Sequence, residues 1–120
     1  MGGSWFTEIA DELAQAVIDA GECAAACEAL LDEARGRLDA DSERRVLAAL
    51  VAPIATANLL VELVDRPPQL LLACVRACRD TSRYALEELG ALQHDVDASR
   101  AVAALGDLAQ SCDALLDAVR

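Results

Sequence analysis

The sequence predicts an all-α protein, an antiparallel up-down-up-down four-helix bundle. Three observations lead there. Hydrophobic residues make up 55% of the 120-residue chain but aromatics only 2%, so the core must come from Ala, Leu and Val, a mixture that favours packed helices over a β-sandwich. Apolar residues recur in alternating steps of three and four. Proline, glycine and Asp/Ser punctuation divides that pattern into four segments with short connections, the arrangement of a bundle. At this length a single domain over residues 1–120 is expected.

Helix one is expected over about residues 5–36, with Ser4 as N-cap and Gly36 closing it in the left-handed conformation. Its inward seam reads Ile9, Leu13, Ala16, Ala20, Cys23, Cys27, Leu30 and Ala34. Helix two is expected over about 42–65, capped from Asp39, Asp41 and Ser42, with the seam Leu47, Leu50, Ile54, Ala57, Val61 and Val64. Leu59, Leu60 and Leu63 widen that seam. Pro53 removes a backbone donor there, and a kink is expected near Ala49–Pro53. Helix three, about 67–92, opens on Pro67 and Pro68 and turns Leu71, Cys74, Val75, Cys78, Thr81, Ser82, Ala85, Leu89 and Leu92 inward. Helix four, about 97–119, is capped by Asp95 or Asp97 and repeats Ala98, Val102, Leu105, Ala109, Cys112, Leu116 and Val119. Glu33 with Arg37, Asp41 with Arg45, and Glu62 with Arg66 have the acid-before-base spacing of minor surface pairs.

Charge excludes some partners. The formal net charge is -11, the chain has no lysine, and no basic run follows a phosphate backbone, so neither nucleic acid nor an acidic membrane surface is an expected partner. The longest uncharged stretch, Val46 to Val61, is short for a bilayer span and contains Pro53, Thr56 and Asn58, which makes it a buried helix in this reading. No charged region precedes an apolar run at the N-terminus, so the cytoplasm is the expected compartment. Thiols are reduced there, and an odd count of five cysteines argues against a disulfide framework. Heavy use of Ala, Arg and Asp without Lys is the composition of a GC-rich bacterial genome.

The cysteines carry the functional reading. Cys23/Cys27 and Cys74/Cys78 each stand four apart, on one helix face, and Cys112 stands alone. Counting helical rise from each connection puts both pairs and Cys112 within about a turn of one another, in one layer facing Pro53 and Ile54. Thiols in an apolar layer suit Cu(I), which soft sulfur ligands select. Zinc is the less apt ion, because structural zinc cysteines sit on loops two residues apart. The structural alternative is that each cysteine packs as a small hydrophobe.

The segments Cys23-Ala-Ala-Ala-Cys27-Glu, Cys74-Val-Arg-Ala-Cys78-Arg and Cys112-Asp113 together resemble the bacterial cysteine-rich four-helix-bundle copper storage proteins. That resemblance implies Cu(I) held by Cys23, Cys27, Cys74, Cys78 and Cys112. Leu30, Ala34, Thr81 and Ala85 stand where the family's thiol ladder would continue, and helix two has no cysteine. The expected capacity is therefore one or two ions at most.

Other candidates are weaker. His94 is the only histidine and is expected at a helix end, exposed or capping, with a metal at the bundle mouth as its alternative. No Glu-x-x-His step is present and no acid, base and nucleophile converge by spacing, so no enzyme is expected. Trp5, Phe6 and the wide apolar sector of helix two point to a homodimer. The alternative function is thus a non-metal interaction or oligomerisation module that kept the bundle.

Overall fold

The computed structural model describes residues 9–63, 67–92 and 97–119. They form four α-helices: α1 (Ala10–Ala34), α2 (Ala40–Glu62), α3 (Pro68–Leu92) and α4 (Ser99–Ala118). Helices of this length rise about 35 Å, whereas connections as short as residues 35–39 reach at most about 20 Å, so each helix must return alongside the last. Each helix packs against its sequence neighbours, and α4 packs back on α1 to close the ring. The expectations at Ser4, Trp5, Phe6, Val64, Arg66, His94 and Asp95 lie outside the described residues.

Local chemistry sets the ends. α1 stops at Ala34, two residues earlier than expected, and the chain leaves it through Gly36 at φ 76°, a conformation costly for residues with a Cβ. α2 starts earlier than expected because Asp39, rather than Asp41 or Ser42, is its cap, accepting from the Ser42 N–H at 2.8 Å. Asp97 accepts from the Ser99 N–H at 3.1 Å and opens α4. Both exposed carboxyls are held below the usual range, Asp39 first by the Ser42 backbone donor and Asp97 first by the Ser99 side chain.

The expected seam of α1 is buried at every position. That of α3 is buried throughout except at the half-buried Thr81. In α4, Val102 is exposed, and Ala101, Leu108 and Leu115 join the core instead. The clearest correction concerns α2. Leu47, Val61 and Leu59 face solvent at 48%, 41% and 46% exposure, while Val46, Ala49, Pro53 and Leu60 join Leu50 and Ala57 inside. A helix apolar on nearly all sides carries little phase information, and its neighbours choose the buried face. Pro53 lies on that buried face and the helix continues through it.

The charge pairs also differ from expectation. Asp41 pairs with Arg44 at 3.9 Å rather than with Arg45, and Asp32 pairs with Arg35 at 3.7 Å, while Arg37 lies beyond the helix end and outside the geometry of an i,i+4 pair. Asp113 of α4 holds Arg79 at 3.8 Å and also Arg83, linking α4 to α3. On the other side of α4, Ser111 donates to the buried Asp19 carboxylate of α1, which also accepts from Gln15 Nε2 at 3.1 Å.

Candidate functional site

All five cysteines are buried and unpaired. Cys23, Cys27, Cys78 and Cys112 are 0% exposed and Cys74 is 7% exposed, because each stands on the inward seam of its helix. The i,i+4 geometry of α1 puts Cys23 Sγ and Cys27 Sγ 3.9 Å apart. Across the ring, Cys78 donates its S–H to the Thr56 carbonyl of α2 at 3.1 Å, and Cys74 donates to the same oxygen at 3.5 Å. The Cys112 thiol acts on Cys78 from α4, and both act on Cys23. The helices therefore bring four of the thiols into one neighbourhood, with Cys74 attached to it through Cys78.

The α2 contact of this layer is Thr56, less than one turn beyond the expected Pro53 and Ile54. Its hydroxyl lies 3.0 Å from that of Thr81 on α3, which in turn donates to the Ala77 carbonyl at 2.7 Å. These two half-buried threonines fix the register of α2 against α3 beside the sulfurs. Thr81 is inward by its spacing, whereas Thr56 stands in the sequence only as one of two polar residues, with Asn58, in an otherwise apolar stretch.

The electrostatics favour thiols over thiolates. Cys78 is pushed up to about 12, first by the Cys112 thiol and further by burial, with the Cys74 thiol working against it. Cys23 is raised as well, first by its hydrogen-bonded partner Cys27 and then by burial, and Cys74 first by the neighbouring Cys78 thiol and then by burial. Cys27 moves down, because the Cys23 hydrogen bond favours its thiolate more than burial opposes it. As thiols, Cys74 and Cys78 already have acceptors, so their packing as small polar hydrophobes is satisfied.

Among the described residues, no three or more His, Cys, Asp or Glu side chains converge in a group able to hold a metal ion. The donor set present is pairwise, with the Cys23 and Cys27 sulfurs 3.9 Å apart. Two metal–sulfur bonds of about 2.3 Å each can span up to about 4.6 Å, so the 3.9 Å separation is compatible with two-sulfur ligation. The chemistry of this set is soft and apolar, and hard cations have no oxygen cage in it. Comparison with known protein families, curated proteins and solved structures returned no match to this chain.

Proposed function

We propose that this protein binds Cu(I) through its buried thiol layer, taking one or at most two ions by pairs of cysteines. The observation that carries the reading is the Cys23–Cys27 pair, 3.9 Å apart and buried, with Cys78 and Cys112 in the same neighbourhood. Cu(I) is the common ion most favoured by sulfur ligands that exclude water. Cys23 and Cys27 take the first ion in this reading, and Cys78 with Cys112 or Cys74 is the second candidate pair. Cu(I) ligation needs the five cysteines as free thiols, so the reading goes with a reducing compartment such as the cytoplasm. Because raised thiols must give up protons to ligate, affinity should rise with pH.

The test is a titration of reduced protein with Cu(I) buffered by a competing chelator. At least one equivalent should stay on the protein, and a Cys23→Ala/Cys27→Ala double variant of unchanged helical content should lose it. Failure of the unaltered protein to hold copper against a weak chelator would overturn the reading.

A further inference from the structure

The outward face of α2 has no charged residue from Val46 to Val61, yet it is solvent-facing, with Leu47, Val51 and Leu59 each about half exposed. By length and composition this helix is apolar enough to cross a membrane. Its outward stripe begins at Arg44, beside the acidic first turn of Asp41 and Glu43, and finishes at Glu62. With 100° per residue, Arg44, Ala48, Val51, Ala55, Asn58 and Glu62 fall within one narrow outward stripe, directly opposite the buried Pro53 and Ala57. Arg44 and Glu62 are equidistant from residue 53, and so are Leu47 and Leu59, and Val51 and Ala55.

A face with that pattern is complementary to itself when turned end for end. We propose that a second copy of this chain docks on α2, antiparallel, about a two-fold axis at the level of Pro53. The dyad sets Arg44 opposite Glu62 of the other copy twice and Val51 opposite Ala55 twice, with Leu47 and Leu59 lining the two flanks of the contact. A parallel pairing would set like charges together at both ends. The partner is therefore specified by charge as well as by apolarity.

Size sets the strength. From Arg44 to Glu62 the face is about 27 Å long and about 10 Å wide, so α2 alone covers roughly 300 Å² per copy, against about 800 Å² in a standard interface. Tyr84 of α3 extends it. This residue is 53% exposed and stands one turn past Thr81, whose hydrogen bond to Thr56 puts Tyr84 level with the middle of α2. The expected dimer is weak and reversible, forming between micromolar and millimolar concentration. Arg44 already lies 3.9 Å from Asp41 with both side chains largely exposed, so its pairing across the dyad replaces a weak contact.

Sedimentation velocity of the full chain across that concentration range should show monomer and dimer in concentration-dependent exchange. Val51→Glu and Leu59→Glu, both at exposed positions, should keep the helical signal and abolish the dimer. Arg44→Glu alone and Glu62→Arg alone should each weaken it by at least about threefold, and the double swap should restore it. Both single changes suit their helix ends, acid at the start and base at the finish, so folding is preserved. A monomer at millimolar concentration overturns the proposal, as does a dimer that the double swap fails to restore. Uptake by phosphatidylcholine vesicles in place of dimerisation would also overturn it, assigning the face to lipid.

Discussion

Raising the pH from 8 to 11 should destabilise this bundle steeply, and the thiol layer is the reason. Cys78 ordinarily titrates at 9.0 and is pushed up to about 12 in the folded chain. Between those values the unfolded chain has lost the proton and the folded chain retains it, so stability falls as pH rises, by about 1.4 kcal/mol per unit. At pH 11 this one thiol accounts for roughly 3 kcal/mol, a large share of the ~5–15 kcal/mol that holds a domain together. Cys23 and Cys74 shift in the same direction and add to the loss, while Cys27 shifts in the opposite one. The absence of lysine keeps this window clear of the side chain that ordinarily titrates near 10.4. The assay is the urea midpoint by circular dichroism, under reductant, at half-unit steps from pH 7.5 to 11, in a Tyr84→Phe background. With a urea slope of about 1–3 kcal/mol per M, 3 kcal/mol moves the midpoint by roughly 1–3 M. Cys78→Ser does not titrate there and keeps a donor for the Thr56 carbonyl, so it should make the profile shallower, the raised Cys23 and Cys74 leaving a residual slope. A midpoint independent of pH up to 11, or a Cys78→Ser profile as steep as the parent's, would refute the reasoning.

Three further outcomes test the fold at single residues. Leu60→Ala should cost about 2–5 kcal/mol and Leu59→Ala within about 0.5, measured by urea unfolding at low micromolar concentration, because only Leu60 is inside. Ser82→Ala should be neutral or stabilise by roughly 1 kcal/mol in the same assay, since the buried Ser82 Oγ has no hydrogen-bond partner among the described residues. Asp39→Ala should lower the urea midpoint at pH 7 and shrink the loss of stability on acidification. The Asp39 carboxyl is held below its ordinary value in the folded chain, so its contribution is present above that value and disappears as pH falls through the folded one.

The seam of α1 was readable because polar residues occupy its other faces. Ile9, Leu13, Ala16, Ala20, Cys23, Cys27, Leu30 and Ala34 are all buried as their spacing predicts. Asp19, three residues past Ala16, was legible only as a charge near that seam, and its bond to Ser111 of α4 required the fold. The neighbourhood of the thiols could be approximated by counting depth, since helical rise is nearly constant. Which atoms meet within it could not, because sulfur positions depend on helix rotation and on side-chain rotamers. Hence Thr56 rather than Pro53 or Ile54 receives the Cys78 thiol.

The number of helices, their order and three of their four buried faces follow from the amino-acid pattern, because α1, α3 and α4 each carry enough polar residues to define a phase. Tertiary structure alone decided the orientation of α2. With sixteen uncharged residues from Val46 to Val61, either face of that helix satisfies burial, and the choice fell to the packing of Pro53 and Leu60 and the Thr56–Thr81 hydrogen bond. The same choice leaves Leu47, Val51 and Leu59 in solvent between Arg44 and Glu62.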